Sequence, residues 1–148
     1  MTKRSKSRSA ARLAAVQALY QIDMEKSRAV SVLAQFHAHR LGAEIEDVQY
    51  IEAEVDFFDD VVTGADARRD EIDSLIEGKL GDQWKIGRID KTMLQILRAG
   101  TYELIARADV PTATVITEYV EVAHAFFDEK DAKFVNGLLD AVARDQRR

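Results

Sequence analysis

The sequence predicts an all-helical protein of six to seven helices, and three observations support this fold class. Apolar residues recur at intervals of three and four along most of the 148-residue chain, which is the spacing of a buried helix face. No segment alternates apolar and polar residues over the length of a strand. One Pro and seven Gly leave few positions for the turns of a many-stranded protein.

Apolar periodicity predicts four helices in the first part of the chain. They span residues 9–24, 28–40, 47–63 and 66–79. In the first helix, Leu13, Val16 and Tyr20 form an apolar stripe. A second face of the same helix carries only small side chains, and another helix could pack closely there; its members are Ala11, Ala14, Ala15 and Ala18. We expect Gly64 to interrupt the third helix.

The second part of the chain is predicted to contain three helices after a connector at residues 82–89. They span residues 91–107, 115–127 and 129–144. Asp90 is a predicted N-cap, and Pro111 separates two of the helices. Gly100 lies on an inward stripe and indicates close helix contact. The inward residues of the last two helices are Val115, Tyr119, Val122, Ala123 and Phe126, then Val135, Leu138, Leu139 and Val142.

The net charge of −5 is unevenly distributed along the chain. Residues 1–22 contain five basic residues and no acidic one, so the remainder carries −10. A basic segment on an acidic body is a local electrostatic handle for nucleic acid, although a solubilising tail is the alternative. We expect residues 1–8 to form a basic arm, ordered or disordered, beside a single helical domain at residues 9–148.

The sequence contains no recognisable catalytic, metal or cofactor site. There is no Cys, no phosphate-binding loop and no dinucleotide-binding motif. His37 and His39 point to different faces of a predicted helix. Glu121 and His124 form only one E-x-x-H pair, whereas a di-iron bundle needs two. We therefore expect no cofactor and no enzymatic activity.

The same features favour a cytoplasmic protein. The lack of Cys is compatible with a reducing compartment. No apolar run approaches the length of a membrane span, and the basic N-terminus lacks the apolar core of a signal peptide. We expect no membrane partner.

The last predicted helix carries an unusual flank. Phe134 lies roughly 90° from the centre of the inward stripe. Lys130, Lys133 and Gly137 lie on the same flank. Lysines can contact phosphates, an aromatic ring can stack on a base, and Gly permits close approach, so this flank suits single-stranded nucleic acid. The alternative is that Phe134 and Gly137 pack under a neighbouring helix.

Several segments resemble conserved motifs of the NusB family. Residues 133–140 (KFVNGLLD) are similar to the family's K-F-V-N-G-V-L-D signature. Residues 96–104 resemble its L-R-x-x-x-Y-E-L motif, and residues 110–118 resemble V-P-x-x-V-x-I-N-E, with Thr117 replacing the usual Asn. Residues 8–20 resemble a basic first helix that ends in A-L-Y. The motifs follow in order over nearly the whole chain.

The resemblance implies two small, packed three-helix bundles and a role in bacterial transcription antitermination. Family members bind the single-stranded boxA element of nascent RNA, notably in ribosomal RNA operons. They act with the small-subunit ribosomal protein that doubles as NusE, within an RNA polymerase antitermination complex. The RNA-binding residues carried over are Arg4, Lys6, Arg8, Arg12, Lys130, Lys133 and Phe134. Tyr20 is placed near the protein partner, and the acidic region 44–82 is a candidate surface for the basic ribosomal protein.

Two other interpretations remain open at this point. The chain could be a helical scaffold that binds only proteins, with an incidental basic segment. It could also be the NusB-like RNA-binding domain of an RNA methyltransferase. Because no cofactor-binding half is present, the second interpretation requires that the sequence be a piece of a longer protein.

Overall fold

The computed structural model describes residues 3–38, 52–81 and 85–147. In these ranges there are seven α-helices and no strand, which confirms the predicted all-helical class. A short 3-10 helix, Ile86–Arg88, precedes α5. The helices are α1 (Lys3–Glu25), α2 (Ala29–Phe36), α3 (Glu52–Ala67), α4 (Arg69–Glu77), α5 (Lys91–Ala106), α6 (Thr112–Phe126) and α7 (Glu129–Gln146).

The chain divides into two compact units, residues 1–66 and residues 67–148. The first unit contains the three helices α1 to α3, and the second contains α4 to α7. The second unit therefore has one helix more than a three-helix bundle. α1 begins at Lys3, so the backbone of residues 3–8 continues the first helix. The separate role of residues 1–8 as an arm stays a prediction.

The core of the first unit is built on the small-residue face of α1. Ala11, Ala14, Ala15 and Ala18 are all buried, and α1 packs against α2. The predicted stripe beside that face is only partly correct, because Val16 is buried but Tyr20 is exposed. Aromatic side chains supply the bulk of the core, with the rings of Phe36 and Phe58 stacked at 5.6 Å between centroids. Large rings thus provide the apolar area that the alanines lack.

The boundary between α3 and α4 differs from the prediction. α3 continues through Gly64 and ends at Ala67, so the expected interruption at Gly64 is wrong. The buried neighbours Val61, Val62 and Ala65 hold this turn in the helix despite the helix-weakening Gly. The break falls instead at Arg68, whose backbone leaves the helical region. The Arg68 guanidinium donates two hydrogen bonds to Glu71, which lowers the pKa of that carboxyl.

The predicted close contact at Gly100 is confirmed in the second unit. A Cβ atom at this position would lie 2.9 Å from Leu139 Cδ1 and 3.3 Å from Tyr119 Cδ2. α6 and α7 therefore approach α5 at a point where only Gly fits without displacement. The predicted inward position of Phe126 is wrong, because its side chain is 44% exposed. α6 ends at this residue, beyond the buried turn of Val122 and Ala123.

Polar contacts fix both ends of α5. Asp90 is the predicted N-cap, and its Oδ1 accepts hydrogen bonds from the N–H groups of Thr92 and Met93 at 2.8 and 3.1 Å. α6 begins at Thr112, directly after Pro111 and earlier than predicted. Near the C-terminus of α5, the Arg147 guanidinium donates to the carbonyl oxygens of Glu103, Leu104, Arg107 and Val110. Among the described helices, none is long and apolar enough to span a bilayer.

Candidate nucleic-acid interface

The N-terminal half of α7 presents an exposed basic and aromatic flank. Asp128 caps the helix by accepting a hydrogen bond from the N–H of Asp131 at 3.1 Å. Lys130 and Lys133 are exposed, and Phe134 retains 39% of its accessible surface. Phe134 is thus only partly covered, as expected for a residue at the edge of the core. A Cβ atom at Gly137 would meet nothing within 4 Å, so Gly137 is not required for helix packing.

This flank forms one wall of a groove with a volume of about 700 Å³ within the second unit. The opposite wall comes from the 3-10 helix and the first turn of α5, and Phe127 contributes from the loop between α6 and α7. Three cationic and two acidic residues lie along the groove beside an apolar surface. The lining residues are Arg88, Ile89, Asp90, Met93, Phe127, Lys130, Asp131, Lys133 and Phe134.

The structure therefore brings together three predicted RNA-binding residues of α7 and adds Arg88 and Phe127. Sequence reasoning missed both, because about forty residues separate Arg88 from Lys130 and helical spacing relates only neighbours on one helix. The available signal was local. Arg88 stands immediately before the Ile-Asp pair that starts α5, at the end of a connector that also carries Lys85.

Arg8 and Arg12 lie in the first unit, and α3 holds both side chains. Their guanidinium carbons lie 4.5 and 4.9 Å from the centroid of the Phe57 ring. Arg8 Nε also donates to Glu54 Oε2 at 3.3 Å, and the Glu54 side chain is fully buried. Arg12 is only 3% exposed, whereas Arg8 is partly exposed. Of these two, Arg8 is the more accessible to a ligand.

Glu54 and Phe57 were not anticipated as companions of the α1 arginines. The acidic residues of the third helix suggested a solvated face, and the apolar stripe there was assigned to Phe58 rather than Phe57. The backbone of Arg4 and Lys6 belongs to α1, and Tyr20 is 39% exposed farther along the same helix. The predicted RNA-binding residues thus belong to both units, and the structure describes each unit by itself.

The histidines form ion pairs rather than a cluster. His37 Nε2 lies 2.6 Å from Asp59 Oδ1, and His124 Nε2 lies 4.0 Å from Glu129 Oε1. His39 lies outside the described residues. The part of the chain that the structure describes contains no group of three or more His, Cys, Asp or Glu residues suited to a metal ion.

The conserved-motif resemblance extends to the family level. A family model described as "NusB family" matches residues 9–144. The chain belongs to the NusB family. A transcription antitermination protein NusB from Novosphingobium aromaticivorans is 68% identical over 142 residues, which cover 96% of each protein. Its family consists of antitermination factors, which confirms the expectation that the chain is not an enzyme.

Two solved NusB structures share the fold. T. maritima NusB superposes with a TM-score of 0.81 at 27% identity, covering 95% of this chain and 93% of the other. A structure described as antitermination factors NusB and NusE in complex with dsRNA gives a TM-score of 0.80 at 26% identity, covering 95% of this chain and 98% of the matched one. The helical architecture is therefore that of the NusB family.

Proposed function

We propose that this protein is an RNA-binding adaptor in bacterial transcription antitermination. The observation that carries the proposal is the exposed Phe134 ring beside Lys130 and Lys133, along a groove that also contains Arg88. Membership in the NusB family supports the same role. In one related structure, NusB and NusE are seen with RNA.

The chemistry of the groove favours single-stranded RNA. An aromatic ring can stack on a base only where the base is unpaired and can leave its neighbours. Ammonium and guanidinium groups on both sides can then contact the flanking phosphates. A boxA-like segment of nascent RNA, as in ribosomal RNA operons, is the single strand that the family resemblance proposes. The related complex contains double-stranded RNA, so strand state is the property to test.

The N-terminal helix supplies a second basic surface in this proposal. We refer to Arg4, Arg8 and Arg12 as the α1 arginines. Lys6 belongs to the same surface. Because Arg8 is partly exposed and is held over Phe57, its guanidinium has a restricted orientation for a phosphate contact. Arg12 is buried over the same ring, so in this structure it supports the position of the helix more than it offers a direct contact.

The protein partner in this proposal is the small-subunit ribosomal protein that acts as NusE. A basic ribosomal protein would be attracted to acidic residues of region 44–82, of which Asp56, Asp59 and Asp60 lie on α3. Tyr20, exposed on α1, is a further candidate contact. The joined proteins would act in the cytoplasm as part of the RNA polymerase antitermination complex.

A binding titration tests the RNA role. Fluorescently labelled boxA-like RNA is titrated with the protein as a single strand and as a duplex with its complement. We expect the single strand to bind more tightly, and replacing Lys130 and Lys133 by Ala to weaken that binding. Arg144→Ala is the matched control, because Arg144 is an exposed basic residue of α7 outside the groove. A wild-type protein that binds neither form would instead be a protein-only scaffold.

The family comparison favours antitermination over the methyltransferase alternative. The related NusB from Novosphingobium aromaticivorans is matched over 96% of its own length and is described as an antitermination protein. The alternative would need a cofactor-binding half attached to this domain, and that half is not part of this sequence. Binding of boxA-like RNA together with the ribosomal partner separates the two functions.

A further inference from the structure

The groove contains a carboxylate where simple attraction of RNA would favour none. Asp131 lies on α7 beside Lys130 and one position before Ala132, and it lines the groove opposite Arg88 and Asp90. Asp90 uses Oδ1 to cap α5. The contact with the Asp128 cap involves the backbone N–H of Asp131, so capping does not occupy its carboxylate. A negative charge here weakens contact with phosphates unless it meets hydrogen-bond donors.

Resting on the RNA-binding function proposed above, we propose that this groove selects one unpaired guanine. Asp131 accepts hydrogen bonds from the base, Phe134 stacks on it, and Arg88 contacts an adjacent phosphate. The ligand class is therefore a guanosine nucleotide within a single strand, and Asp131 and Arg88 are the specificity-determining and phosphate-contacting residues.

The pattern of donors on the bases explains the choice of guanine. A carboxylate has two acceptor oxygens and, when ionised, no donor. On its Watson–Crick edge, guanine presents two adjacent donors, N1–H and the 2-amino group. Cytosine and adenine each offer one amino group beside a ring nitrogen acceptor, and uracil offers one N–H between two carbonyls. Only guanine can satisfy both carboxylate oxygens without placing an acceptor against them.

The composition of the groove matches a single nucleotide. Its volume of about 700 Å³ lies in the range of small-molecule sites. Apolar surface from Met93 and Phe127 lies beside Phe134 for the faces of a base. Arg88 stands on the wall opposite the two lysines, so phosphates on both sides of the base can reach a cation. The same Asp131 charge that rewards guanine disfavours every base that leaves it without donors.

The test compares short oligouridylates that carry one central guanosine, inosine, adenosine or cytidine. A bidentate contact predicts roughly 5- to 150-fold tighter binding of the guanosine oligomer than of the adenosine or cytidine oligomers. Inosine lacks the 2-amino group and is expected to bind at an intermediate level. Asp131→Asn should remove most of the preference, partly by tightening the binding of the other oligomers, since a negative charge beside phosphates is lost.

Two controls separate base recognition from general RNA binding. Asp140→Asn removes a carboxylate on the same helix that pairs with Arg144 outside the groove, and the guanosine preference should persist. Arg88→Ala should weaken all four oligomers to a similar degree and reduce the dependence on salt. Helical circular dichroism confirms that each variant is folded.

The outcomes distinguish this inference from the proposed function. Equal binding of all four oligomers by the wild-type protein, with loss of binding in Phe134→Ala, would overturn guanine selection and leave the RNA role intact. A guanosine preference that survives Asp131→Asn would overturn the role of Asp131. Absence of binding to every oligomer and to boxA-like RNA would overturn the proposed function, and the inference with it.

Discussion

Phe134→Ala separates the RNA role of the exposed ring from its contribution to packing. The ring is 39% exposed, so about three-fifths of it is covered, and removing that contact should cost about 1–2 kcal/mol of unfolding free energy. A fully buried Phe would cost roughly 3–5 kcal/mol. The variant should therefore remain folded, because a typical domain has about 5–15 kcal/mol of stability.

The effect of the same change on RNA binding should be as large or larger. Loss of one base–aromatic stack is worth about 1–3 kcal/mol, which weakens binding roughly 5- to 150-fold. Urea denaturation followed by circular dichroism measures the stability change, and fluorescence anisotropy with labelled single-stranded RNA measures the affinity of the folded protein.

Val135→Ala is the matched control on the next position of α7. Val135 is fully buried, so losing two methyl carbons should cost about 2 kcal/mol of stability. Its RNA affinity, measured well below the unfolding transition, should stay near that of the wild type. The assignment of this flank to RNA is refuted by a Phe134→Ala protein that loses stability like a core variant yet binds RNA normally.

Three further predictions follow from the packing and the basic helix. Replacing the α1 arginines by Ala should weaken binding to every single-stranded RNA and flatten a log K against log salt slope that is roughly −2 for three phosphate contacts; an unchanged slope would show that they meet no phosphate. Arg12→Ala alone should lower the thermal midpoint, because its guanidinium is buried over Phe57, and an unaltered midpoint would contradict that support. Gly100→Ala should destabilise the fold by about 1–3 kcal/mol in urea, since the new Cβ would lie 2.9 Å from Leu139, and a neutral result would mean that α7 yields easily.

The fold was predictable wherever packing follows from spacing along one helix. The buried residues Val135, Leu138 and Leu139 of α7 and the close contact at Gly100 all follow from a period of 3.6 residues. The same period failed at Phe126, because periodicity does not say where the neighbouring surface ends. It also failed at Gly64, where the cost of Gly in a helix is smaller than the gain from its buried neighbours.

The candidate site was only partly predictable, because its two walls come from distant parts of the chain. The α7 flank could be recognised from Lys130, Lys133 and Phe134 on one helical face. Arg88 could not, since its position beside that flank depends on how the 3-10 helix and α5 pack against α7. The pairing of Arg8 with buried Glu54 likewise depends on contact between helices.

The most direct test of the adaptor function is RNA affinity with and without the ribosomal partner. Labelled single-stranded boxA-like RNA is titrated with this protein alone, with the NusE-type ribosomal protein alone, and with both. The joined proteins present a longer RNA track, so we expect the pair to bind more tightly than either protein. By thermodynamic linkage, RNA should strengthen the protein–protein contact by the same factor. Identical RNA affinity with and without the partner would contradict the adaptor function.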